Sequence, residues 1–170
     1  MKPIVRGFLC LAVLSPLMLA QKKPAAAALS PQEFVDMAAQ TDMTEAHLGQ
    51  MAADQAGSQA VKDYAQTLVQ DHTADYNQIT AVATKAGLTV PKGLDAKHEK
   101  MIAPFEKLKG AAFDRKYAHE MIAGHTEAIA AYKKESEDGT NADVKAYATQ
   151  TLPTLDKHLS GAKDLMKAGK

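Results

Sequence analysis

The stretch SQAVKDYAQTLVQDHTADY, residues 58–76, decides the fold. Ser58 has the character of an N-cap, and the apolar side chains after it recur at steps of three and four: Val61, Ala65 and Leu68, then Ile79, Val82 and Ala86. Residues at that spacing share one face of a helix, because about 3.6 residues complete a turn. The run predicts a helix that stops at Gly87, a residue suited to the left-handed backbone that ends helices. The position that the apolar seam gives to residue 72 holds a histidine, with Asp75 three residues on. An imidazole on a core-facing stripe needs a partner, since an unpaired buried polar group costs about 1–3 kcal/mol.

Outward from this stretch the same pattern repeats. Ser30-Pro31-Gln32-Glu33 combines an N-cap serine, proline at the first helical position and a glutamate three residues after the cap, and the helix it opens runs to Gly57-Ser58. A third long helix is expected from about Ala112 to Asp138, and a fourth from about Asn141 to Lys167 after the EDGTNAD turn. SQAVKDYAQTLV (58–69) resembles NADVKAYATQTL (141–152), so each copy opens the second helix of a hairpin. Two related αα-hairpins packed together make a four-helix bundle. The connection from Gly87 to Gly110, long enough for a parallel or an antiparallel second hairpin, holds a short helix capped by Asp95. That helix carries Met101, Phe105 and Leu108 on one face and is expected outside the four-helix core. Strand alternation is absent, so the fold class is all-α.

Each of the four seams contains one strong metal-ligand type: Glu45, His72, His125 and His158. Glu45 and His72 lie 12 and 14 residues from the Gly57-Ser58 turn, and His125 and His158 lie 14 and 17 from Gly139 and Asn141. At 1.5 Å per residue all four fall roughly 20 Å from their turns, in one central layer. Three imidazoles and a carboxylate suit one divalent ion, Zn, Fe, Cu or Mn. Asp42 and Asp75 are placed to support the ligands, and Tyr76 and Tyr132 to lend hydroxyls. Two other readings remain open: a polar network that only fixes helix register, and a metal-free Glu–His pair. His47, His98 and His119 fall off the seams and read as solvated, and the dispersed methionines read as core filler. Pro153, inside the fourth helix, marks a site for a kink. There is no Cys-x-x-Cys-His, phosphate loop or nucleophile elbow, so no catalytic residues are assigned.

Residues 1–28 have the order of a signal peptide: Lys2 and Arg6, an apolar run from Gly7 to Ala20, then small residues at 25–28, with cleavage expected between 20 and 28. The run is 14 residues long and broken by Ser15-Pro16, whereas a spanning helix needs about 20, so no stable membrane insertion is expected after cleavage. Export to the periplasm or cell envelope follows. Cys10 is the sole cysteine and falls in this leader, which removes disulfides and thiolate sites from the mature chain. The full chain carries 20 basic and 20 acidic residues; without the leader and Lys22 and Lys23 the basic count is 16, a net charge of −4. Arg115 is then the one arginine, which excludes nucleic acid as a partner.

The order Phe34-x₁₀-Glu45, VKDYAQTLVQDH (61–72), FDRKY with His125, and TLPTLDKHL (151–159) resembles the domain-of-unknown-function family 4142 over about residues 30–167. That family comprises secreted bacterial proteins often labelled outer-membrane proteins. The resemblance implies a ferritin-like four-helix bundle over residues 30–168, in which Glu45, His72, Asp114, His125 and His158 match recurring polar positions. It does not extend to the di-iron pattern, which needs a Glu-x-x-His on each of two helices; none occurs here. The function expected is metal handling or stress protection in the envelope. The alternative is a metal-free interaction module with an envelope protein partner.

Overall fold

The computed structural model describes residues 28–168; residues 1–27, on which the expected leader falls, lie outside that range. Five helices form: α1 (Pro31–Gln55), α2 (Gln59–Ala86), α3 (Ala96–Ile102), α4 (Ala111–Asp138) and α5 (Ala142–Ala168). Their starts are the expected ones. Ser30 and Glu33 form a reciprocal capping box, Ser58 accepts from Val61 N at 3.3 Å, and Asp95 accepts from His98 N at 2.9 Å. Asn141 Oδ1 accepts from Asp143 N and Val144 N at 3.0 and 3.1 Å. Gly87 ends α2 with φ 70°, a conformation that a side chain would strain. Helix α5 continues through Pro153. Among the described residues there is no strand and no helix long and apolar enough to cross a membrane.

The two hairpins are α1–α2 and α4–α5, and they face each other through α2 against α5 and α1 against α4. Their relative direction follows from what meets at each end. Gly110 N donates to Gln55 O at 2.8 Å, and Asp114 Oδ1 and Oδ2 accept from Gly57 N and Ser58 N at 2.9 Å each. The start of α4 therefore sits at the α1–α2 turn. At the other end Phe34 packs edge-on against Tyr132, 4.9 Å between ring centroids, and Lys85 pairs with Asp143. So α2 and α4 run parallel, and the connection must travel the length of the bundle. A Cβ on Gly57 would stand 2.8 Å from Gly110 Cα, which explains glycine at that crossing.

Three glutamines of α1 hold the connection down. Gln32 exchanges two hydrogen bonds with Thr89, Gln40 bonds Gly93 O and Asp95 N, and Gln55 bonds Glu106 O. The α3 segment is not merely external, as the sequence led us to expect. Ile102 is 5% exposed, and Phe105, in the 3₁₀ turn that follows, is fully buried against Phe113. Both side chains join the apolar cluster that Leu48 of α1 and Phe113 and Tyr117 of α4 also build.

The core divides in two. One cluster, around Phe34, Ile79, Tyr132, Tyr147 and Leu155, fills the end with the α4–α5 turn; the other, around Leu48, Leu68, Phe105, Phe113 and Tyr117, fills the opposite end. Between them lies a layer with no large apolar side chain in either cluster. Asp42, Glu45, His72, His125 and His158 occupy it, each at most 5% exposed.

Candidate metal centre

The four expected ligands arrive one from each long helix, because each stands at the same depth on a seam that already faces the core. His72 Nε2 lies 2.8 Å from Glu45 Oε2, and His125 Nε2 lies 3.2 Å from the same oxygen. The imidazoles crowd together, with ring centroids 5.2–5.7 Å apart. One ring nitrogen from each of the three lies within 4.8 Å of the others.

Each histidine is oriented through its other nitrogen. His72 Nδ1 donates to Asp42 Oδ1 at 2.8 Å, and His125 Nδ1 donates to the Met121 carbonyl at 2.8 Å. His158 Nε2 donates to Asp71 Oδ2 at 2.8 Å. What remains in the layer is a set of five buried atoms without a hydrogen-bond partner: His72 Nε2, His125 Nε2, His158 Nδ1, Glu45 Oε2 and Asp42 Oδ2. Glu45 Oε2 stands at ion-pair distance from His72 Nε2 and His125 Nε2, so what these atoms share is charge. Buried polar atoms are paired in the great majority of cases, so five orphans in one layer call for an explanation.

The charges in the layer compensate one another. Burial works against a charged His72, but Glu45 and the hydrogen bond to Asp42 outweigh it and push its pKa up to about 10. Burial raises Asp42 to about 7 against the pull of His72. Glu45 is also disfavoured by burial, yet the charges of His125 and His72 hold it below the usual carboxylate range. His158 is pushed down, by burial first and by the neighbouring imidazoles, with the Asp71 hydrogen bond opposing. A proton on His72 is thus favoured by the carboxylates on either side of it, Asp42 and Glu45. A divalent cation placed there would supply twice the charge of that proton.

Of the supporting residues expected, Asp42 takes its place beside His72. Asp75 makes no hydrogen bond to His72; its oxygens accept from Tyr147 Oη at 2.7 Å and Thr151 Oγ1 at 3.5 Å. Tyr76 turns away from the layer, donating to the Pro91 carbonyl at 2.7 Å and so holding the crossover. Tyr132 reaches Tyr147, 3.1 Å between hydroxyls, within the apolar cluster. Asp114 stands at the end of the bundle, clamping the first hairpin turn. His47 and His119 are exposed, as expected, whereas His98 folds against Asp95 with its side chain 15% exposed. The residue that seam reasoning missed is Asp71. One position before His72, it points about 100° away from the seam, toward α5, and only the helix order shows that His158 waits there.

The comparisons with known proteins agree with the fold. CopM in its Cu(II)-bound form superimposes with a TM-score of 0.70 at 15% identity, over 84% of this chain and 99% of that one. The Cu(I)-bound form of CopM gives 0.68 at 12% identity, over 82% and 97%. A DUF305 fragment from Deinococcus radiodurans gives 0.70 at 16% identity, over 84% and 99%. No curated protein matches the sequence. The model of the domain of unknown function DUF4142 matches residues 17–165, and the chain belongs to that family.

Proposed function

We propose that this protein binds one divalent transition-metal ion through His72 Nε2, His125 Nε2, His158 Nδ1 and Glu45 Oε2, and that it handles metal in the cell envelope. A single observation carries the reading: these four atoms are buried in one layer without a hydrogen-bond partner, while the second nitrogen of every histidine is held by an acceptor. Metal-bound histidines are oriented in this way, through an acceptor on the nitrogen that does not bind. Three nitrogens and one oxygen suit Zn²⁺ or Cu²⁺ best; Fe²⁺ and Mn²⁺ favour more oxygen. Copper is the first ion to try, since the similarly folded CopM was obtained with Cu(II), Cu(I) and Ag bound. Export is supported by the leader-like order of residues 1–28. A role in sequestration or stress protection fits a layer whose polar groups are spent on holding ligands.

The test is thermal unfolding with and without metal. Binding stabilises by RT ln(1 + [L]/Kd), about 2.7 kcal/mol at a hundredfold excess over Kd, which raises Tm by about 5–10 °C in a domain of this size. His72→Ala, His125→Ala and His158→Ala should each abolish the shift, and His47→Ala should preserve it. The complete pairs His72–Asp42 and His158–Asp71 favour a second reading, a metal-free module whose layer fixes helix register. That reading expects no shift with metal, and His72→Leu neutral or stabilising.

A further inference from the structure

Two grooves reach the polar layer from opposite sides. One, about 230 Å³, opens between α2 and α5, where His72 and His158 line it together with Asp71, Asp75 and Thr154. The other, about 250 Å³, lies between α1 and α4 under α3, where Glu45 shares the lining with Met37, Met101, Met121 and Lys97. They differ in the ligands they reach and in whether a fixed cation stands in the way. Among the described residues, the α2–α5 groove is lined by two carboxylates and no lysine or arginine, and two buried ring nitrogens without partners, His72 Nε2 and His158 Nδ1, belong to residues that line it. The α1–α4 groove is more apolar, carries the Lys97 ammonium among the carboxylates of Glu45, Glu120 and Glu127, and has none of the three layer histidines in its lining.

From this difference we infer that the cation reaches the layer through the α2–α5 groove, and that Asp71 is its capture residue. Asp71 spans the boundary between solvent and site. Its side chain is 44% exposed, while its Oδ2 accepts from His158 Nε2 at 2.8 Å. A hydrated cation therefore meets the Asp71 carboxylate first and is passed inward to the imidazole that the same carboxylate orients. A low-dielectric groove lined by one sign of charge raises the local concentration of the opposite ion and speeds association. This inference rests on the metal-binding reading above, and kinetics separate the two.

The experiment is stopped-flow mixing of the purified protein with Zn²⁺ or Cu²⁺ at low and high ionic strength, with equilibrium affinity measured alongside. Asp71→Asn keeps an oxygen for His158 and should slow association about tenfold, with a weakened salt dependence. Thr154→Lys, which sets an ammonium in the α2–α5 groove without touching a ligand, should slow loading at low salt and recover at high salt. Ala131→Lys, in the α1–α4 groove, should load at the wild-type rate. Failure of the wild type to bind either ion would overturn the metal reading itself. Tight wild-type binding with unchanged rates in Asp71→Asn and Thr154→Lys, or slowing by Ala131→Lys instead, would overturn the route alone. Unchanged helical circular dichroism and metal-free Tm establish that each variant is folded.

Discussion

His72 holds two buried carboxylates together by keeping its proton, and this fixes how the metal-free protein responds to pH. Its folded pKa, about 10, lies above the ordinary histidine value of 6.5. Its contribution to stability is therefore complete below about pH 6.5 and is lost as pH rises through about 10. The metal-free Tm should fall across that window, and His72→Gln should flatten the fall; a Tm rising over the same range in the wild type would contradict the assignment. Metal uptake must also displace the proton, because an imidazolium nitrogen has no lone pair to give. Titration calorimetry at pH 7.5 in two buffers of different ionisation heat should show proton release on binding. Equal heats in both buffers would mean that the ion does not bind at His72.

At the level of elements, the long helices were legible because caps and seams are local. Ser30, Ser58, Gly87 and Asn141 mark boundaries that the structure keeps within one or two residues. The path of the crossover was not legible. Gln32, Gln40 and Gln55 look like surface residues of an amphipathic helix until the connection is seen lying on them, and Phe105 looks like part of an outer face until its ring is found among Phe113 and Lys116. Two variants test the crossover as part of the core. Phe105→Ala should destabilise by about 3–5 kcal/mol in denaturant unfolding, as for a fully buried ring. Gln40→Ala strips partners from Gly93 O and Asp95 N and should cost about 1–3 kcal/mol. Losses under 1 kcal/mol in both would return the segment to the periphery.

Across the whole molecule, the polar layer divides two apolar halves, and that division is what the seam periodicity predicted from Glu45, His72, His125 and His158. Depth along each helix was enough to bring four side chains to one level. Which face of each ring would be held was beyond the sequence, because Asp71 and the Met121 carbonyl act across or along helices whose order only the fold supplies. The tyrosines of the repeat show the same limit: Tyr64 reaches the His158 carbonyl from α2, and Tyr147 reaches Asp75 from α5, so each hairpin grips the other by a residue whose target its own helix does not reveal. The central claim is that the orphaned atoms of His72, His125, His158 and Glu45 are a ligand set. Anomalous diffraction from crystals of the protein loaded with Zn²⁺ or Cu²⁺ tests it most directly. The account predicts one peak in the layer, about 2.0–2.2 Å from His72 Nε2, His125 Nε2, His158 Nδ1 and Glu45 Oε2. A loaded crystal with its peak at surface residues and the layer unchanged would contradict it.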